Sequence, residues 1–134
     1  MPLLVPNNGE GIAIAAFLNK TAPQDQTLIL YQNNLTPAET DVTAGYTDAT
    51  FTGYASKALT GVGWTVVEGA PTSASFAQQT FTSTADQTLQ NIYGYMVKQV
   101  TSGKIMWAER FSAAPYVITN NGDAILVTPT ITFD

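Results

Sequence analysis

Histidine and cysteine are both absent from this chain. Their absence removes zinc sites built on imidazole or thiolate, Ser-His-Asp and Cys-His nucleophiles, the imidazole base, and every disulfide. Charge is scarce as well. Asp, Glu, Lys and Arg make up 11% of the chain, against roughly 25% in an ordinary soluble domain. The five basic residues, Lys20, Lys57, Lys98, Lys104 and Arg110, are scattered, and the net charge is −5. No cluster among them can neutralise several phosphates, so neither nucleic acid nor an anionic membrane surface is an expected partner. Long apolar runs are missing too. Ile12 to Leu18 is the longest, too short to cross a bilayer and without the basic flank of a secretion signal. Nor is there a phosphate-binding loop, because Gly9-Glu10-Gly11 lacks a third glycine and a preceding strand.

What the chain does have is the material of a β-protein. Hydrophobic residues reach 45%, enough for a core, and there are twenty threonines. Threonine is β-branched and favours strands while keeping a hydroxyl for water. A threonine-rich surface poor in ions suits a protein that works inside an assembly. At 134 residues the length predicts one domain spanning 1–134.

Met1-Pro2-Leu3-Leu4-Val5-Pro6 reads as an extended arm, because each proline disfavours helix in the residue before it. The arm is taken as residues 1–8. Asn7 or Asn8 then caps a short helix through Gly11-Ile12-Ala13-Ile14-Ala15-Ala16-Phe17-Leu18, ending near Asn19-Lys20. Apolar on nearly every face, this helix is expected to be buried on several sides. Past Pro23 the period becomes two. Thr27 to Tyr31 predicts a central strand, Asn33 to Asp48 a long polar loop that has a function or packs on itself, and further strands follow at 54–59, 64–68 and 75–82.

A hairpin of Asn91 to Val100 with Lys104 to Phe111, turning at Ser102-Gly103, sets Val100 opposite Ile105, Lys98 opposite Trp107 and Tyr95 opposite Arg110. A second hairpin pairs Tyr116 to Thr119 with Ala124 to Phe133, with Pro129 making the last strand an edge or a bulged one. Seven to eight strands and one helix predict a mainly β fold: an antiparallel β-sandwich or barrel-like domain with one short N-terminal helix and an extended N-terminal arm.

Candidate chemistry is thin. Among Glu39, Asp41, Asp48, Glu68 and Glu109, the last stands out for its apolar setting, and its simplest role is a salt bridge to Lys98. Arg110 is expected to stack on Tyr95. The turn Asn120-Asn121-Gly122-Asp123 lacks the carboxylate spacing of a calcium loop. Trp64, Trp107, Tyr93 and Tyr95 either form a platform for sugars or fill the core, and core filling is preferred. No catalytic, cofactor or metal residue is assigned, and no enzyme activity is expected.

Leu3-Leu4-Val5-Pro6-Asn7-Asn8-Gly9-Glu10, Tyr93-Gly94-Tyr95-Met96-Val97, Trp107-Ala108-Glu109-Arg110-Phe111 and Asn121-Gly122-Asp123 together resemble small virion proteins of tailed bacteriophages. The nearest likeness is to the head decoration, or cement, proteins of phages infecting cyanobacteria. That resemblance implies a β-rich protein on the outer capsid surface, often trimeric, which clamps neighbouring major capsid subunits without chemistry. Its implied partners are the major capsid protein and further copies of itself. On physical grounds Leu3, Leu4, Val5, Tyr95, Trp107 and Arg110 are the candidate partner-binding residues, with the arm adding a strand to a neighbour. The alternative is a tail, baseplate or fibre component that binds a receptor or glycan.

Overall fold

The computed structural model describes residues 3–133. Eleven strands in antiparallel sheets and one helix make a mainly β, sandwich-like fold that does not close into a barrel. Four strands form the main sheet: β1 (Gln26–Tyr31), β2 (Lys57–Leu59), β7 (Gly94–Gln99) and β8 (Ile105–Arg110), in the order β2-β1-β7-β8. Opposite lie three smaller sheets. One is β3 (Trp64–Val67), β4 (Thr72–Phe76) and β11 (Thr130–Phe133), ordered β11-β4-β3. The others pair β5 (Gln79–Thr82) with β10 (Ala124–Val127), and β6 (Gln90–Ile92) with β9 (Tyr116–Ile118).

Strand β1 explains why the main sheet is buried on both faces. Leu28 and Leu30 point into the inter-sheet core with Val97, Trp107, Phe81, Ile92, Ile118 and Ile125. Ile29 and Tyr31 face the other way, into a second cluster with Met96, Ile105, Ala108 and Tyr46. Alternation on a strand sends neighbours to opposite faces, so a strand apolar at every position from Leu28 to Tyr31 needs two covers. The polar loop supplies the second cover. It folds on itself: the Asn33 side chain donates to the Gly45 carbonyl (2.9 Å) and accepts from the Thr47 amide (2.9 Å), while Tyr46 and Leu35 lie against the second cluster.

The β7–β8 hairpin is one residue out of the register expected from the sequence. Tyr95 faces Glu109, Val97 faces Trp107, and Lys98 faces Ile105 across a bulge. The turn is also longer than the expected Ser102-Gly103. Gln99 and Lys104 close it (3.0 Å), Gly103 takes φ +67°, and the Ser102 hydroxyl bonds the Gln99 side chain (2.6 Å). A four-residue loop with glycine in the left-handed region replaces a two-residue turn, and a one-residue slip reverses the facing of each pair.

The expected second hairpin does not form. Strand β9 pairs with β6, and Pro129 divides the last segment into β10, paired with β5, and β11, paired with β4. Proline cannot donate to a ladder, and this one is fully buried between the two strands. The strand expected over 75–82 likewise divides into β4 and β5, and 91–100 into β6 and β7.

Helix α1 runs Asn7–Phe17, beginning four residues before the expected segment, so of the arm expected over 1–8 only residues 3–6 precede it, Met1 and Pro2 lying outside the described residues. Pro6 holds the N-cap position and no side chain caps the helix; instead the Asn7 amide donates to the Glu39 carbonyl of the folded loop (2.9 Å). At the far end Asn19 sits at φ +54° while its amide reaches Ala16 and that of Lys20 reaches Ala15. That is a Schellman stop. Burial on several sides does not occur: Gly9 is the one buried residue of α1, and Ile14, Phe17 and Leu18 are exposed. Gly9 lies so close to β8 that a Cβ there would overlap the Met106 carbonyl oxygen. The helix is fastened to the sheet along one line and free elsewhere.

Candidate functional site

Most of the residues singled out from the sequence turn out to hold the fold together. The Leu4 amide and carbonyl exchange hydrogen bonds with Ala108 (both 2.9 Å), adding a bridge to the edge of β8. Leu3 and Val5 pack half-buried on the inter-sheet core, and Pro6 is fully buried. Trp107 and Tyr95 are 3% and 4% exposed. Trp107 meets Trp64 edge-on (5.8 Å), which meets Phe76 in the same way (5.4 Å). Tyr93 packs against the other cluster, beyond the main sheet. The four aromatics therefore form no common platform, as core filling predicts.

Arg110 stacks on Tyr93 (4.9 Å), not on Tyr95, and donates to the Leu35 carbonyl (3.0 Å). The slipped register is the cause. For the same reason Glu109 pairs with tyrosine rather than Lys98: the Tyr95 hydroxyl donates to its carboxylate at 2.7 Å. Asp41 holds the Tyr46 hydroxyl in the same manner (2.7 Å) and accepts from the Ala38 amide (2.9 Å). Asp123 accepts from the Thr119 and Asn120 amides (2.9 and 2.8 Å), which hold its carboxyl below the usual aspartate range. A carboxylate whose one oxygen accepts from two backbone amides is an anchor for its own turn. Among the described residues, no three His, Cys, Asp or Glu side chains group closely enough to hold a metal, and no helix is long and apolar enough to cross a membrane.

Four tyrosines carry the largest electrostatic effect. Burial pushes Tyr31 and Tyr54 up to about 12 from 10, Tyr31 further raised by nearby Asp41 and Glu109 and partly lowered by Arg110. Tyr46 and Tyr95 are raised higher still, by burial and then by the carboxylates they bond. An unfolded chain releases these protons first, so their contribution is complete below pH 10 and lost as pH rises toward 12 and beyond. The thermal midpoint should stay level up to pH 10 and then fall steeply, with tyrosinate absorbance at 295 nm rising together with unfolding. Ionisation completed near pH 10 in the folded protein would contradict this.

Three of the hollows on the described surface bear on binding. The largest, about 510 Å³, lies between α1 and β11 and is lined by Val5, Ala13, Ile14, Met106, Ile131 and Phe133, with Glu10 the one charged residue on its walls. A second, about 250 Å³, is lined by Phe111, Tyr116, Ala124, Ile125 and Leu126, and shares no residue with the first. Phe111 and Tyr116 meet edge-on there (5.1 Å), and Tyr116 and Leu126 are exposed. The third, about 380 Å³ between α1 and the β7–β8 turn, is mixed in character: Asn7, Asn8, Gln24, Gln99, Ser102 and Lys104 face Ile12, Ala15 and Ala16. The Gln24 side-chain oxygen is buried with no donor.

Sequence reasoning missed the exposed apolar residues Ile14, Phe17, Val66, Leu126 and Phe133. The available signal was the all-round apolar helix itself, taken as a mark of burial within the chain when half of it faces outward. A scan against protein-family models and searches of curated proteins and of solved structures find no match.

Proposed function

We propose that this chain is a structural component of a bacteriophage particle, a decoration protein that binds the outer capsid surface and stabilises contacts between major capsid subunits. The observation that carries the reading is a charge-poor surface bearing two separate apolar hollows, each with one exposed aromatic side chain on its wall, Tyr116 in one and Phe133 in the other. A protein that bridges neighbours needs at least two adhesive faces, and clustered exposed apolar surface marks a contact site. The sequence resemblance supplies the identity of the neighbours. On this reading the protein acts by binding alone, resides on the virion, and forms a homo-oligomer, a trimer by the same resemblance.

Mixing the purified chain with expanded capsids tests it. The chain should co-sediment at a fixed stoichiometry and raise the temperature at which capsids rupture. Leu126→Asp, in the smaller hollow, should weaken that binding roughly tenfold or more, since an uncompensated charge enters the contact. A chain that never sediments with capsids would overturn the proposal.

The mixed hollow favours one other reading, a glycan-binding module of a tail, baseplate or fibre. Side-chain amides and hydroxyls beside an apolar wall are the groups that hold a sugar, and Asn8, Gln24 and Ser102 supply them on the lining here. Glycan-array binding lost in Gln24→Ala would establish it, and a blank array would remove it.

A further inference from the structure

We infer that the face formed by helix α1 and strand β11 is a self-association surface, occupied by the same face of a second copy of this chain. Three features point to that occupant. One stripe of the helix, Glu10, Ala13, Ile14 and Phe17, has the spacing of a single helical face, and its first three residues line the large hollow. The fourth, Phe17, one turn further along the same stripe, is 89% exposed. Projection and recess thus occur on the same surface, which makes it self-complementary, as a two-fold contact requires.

The second feature is area. Phe17 and Phe133, at 89% and 63% exposure, together offer roughly 300 Å². Ile14, Leu18 and Val66 are also largely exposed. They bring the apolar face to the order of 500 Å². Val66 belongs to it because it pairs with Ala74, which pairs with Ile131 on the wall of the hollow. Doubled across a symmetry axis, such a face reaches about 1,000 Å², where specific interfaces begin.

The third feature is charge. Glu10 is the one ionic group on the hollow's lining and is itself exposed, so it can stay in water at the rim while the recess takes apolar groups. An apolar face with a recess and a projecting phenyl ring fits its own image best.

This inference rests on reading the chain as an adhesive module, and a measurement on the purified protein alone separates the two. Size-exclusion chromatography with light scattering, up to about 100 µM, should give a mass of two copies for a two-fold pair. Three copies would mean a ring closed by head-to-tail contacts, as the trimer of the capsid reading requires, and would overturn the two-fold pairing inferred here. Phe17→Asp should return the chain to one copy, or raise the dissociation constant at least roughly tenfold. Its thermal midpoint at low protein concentration should fall by only about 1–5 °C, because the side chain touches little of its own fold and the new carboxylate opposes only the end of the helix dipole. Ala13→Gln, which fills the recess from its wall, should act in the same direction. Val42→Asp, exposed on the loop that covers the opposite side of the main sheet, should leave the mass as it is. A single-copy mass throughout, or an oligomer indifferent to both variants, would overturn the inference. If the chain is monomeric and Phe17→Asp instead loses capsid binding, the face belongs to the capsid contact and the proposed function stands without it.

Discussion

Gly94→Ala will cost roughly 3–5 kcal/mol and lower the thermal midpoint by about 10–20 °C. Gly94 opens β7 between Tyr31 of β1 and Arg110 of β8. A Cβ there would overlap the Glu109 carbonyl oxygen and come within 2.5 Å of the Tyr31 hydroxyl. Neither can retreat. The carbonyl belongs to a strand held on both sides, by β7 and by the Leu4 bridge. Tyr31 is fully buried, set edge-on against Tyr46 (5.0 Å). Overpacking normally costs about 1–3 kcal/mol, and the excess here reflects a collision with backbone rather than with a side chain that can turn. Against a total stability of about 5–15 kcal/mol, much of the margin disappears. Gly11→Ala supplies the contrast. Nothing lies within 4 Å of a Cβ there, so on an exposed helix it should gain about 0.5–1 kcal/mol. Paired thermal melts of the two variants check both signs, and a Gly94→Ala protein as stable as wild type would show that the strand spacing is wrong.

Trp107→Ala will lose about 3–5 kcal/mol. Its indole fills the space between the main sheet and the Trp64–Phe76 end of the opposing sheet, and that space cannot collapse while both sheets remain paired. Trp107→Phe should cost much less, under about 2 kcal/mol. The indole N–H is buried without a partner. It lies near enough to the Tyr95 hydroxyl to favour the phenolate slightly, but outside hydrogen-bond geometry. Phenylalanine keeps most of the packing and removes a donor that is already unsatisfied. Urea melts of the two variants should therefore differ widely in midpoint. A sugar-binding tryptophan would behave in the opposite way, with both substitutions abolishing binding and neither altering stability, and that result would move Trp107 from the core to a site.

Several features of this protein were legible in the sequence because they depend on local chemistry. The uninterrupted apolar run of β1 allowed only a central strand. Asn19 marked the helix end, since it is among the few residues tolerant of the left-handed region that a Schellman stop needs. The polar loop from Asn33 was long enough to demand its own packing. Pro129 announced a break in the last strand, although not that its halves would join different sheets.

Other features were invisible because they depend on choices between nearly equivalent local arrangements. The Ser102-Gly103 pair suits a two-residue turn as well as the end of a four-residue loop, and one residue of difference decided whether Tyr95 met Arg110 or Glu109. That slip set the Tyr95 hydroxyl to donate to the half-buried Glu109 carboxylate instead of lying under Arg110, and replaced an expected salt bridge with a tyrosine–carboxylate pair. Tyr116 to Thr119 and Ala124 to Phe133 look like two arms of a hairpin, yet each found a better partner elsewhere in the chain.

By itself the amino-acid sequence determined the class of fold, the central strand, the helix stop and the kinds of chemistry excluded, because each follows from what a residue can do with its immediate neighbours. Tertiary structure alone decided the register of the central hairpin, the capture of the N-terminal segment by β8, and the exposure of one side of an apolar helix. Those outcomes turn on which surfaces meet across the chain, and a pattern of apolar residues states that a face must be covered without stating by what.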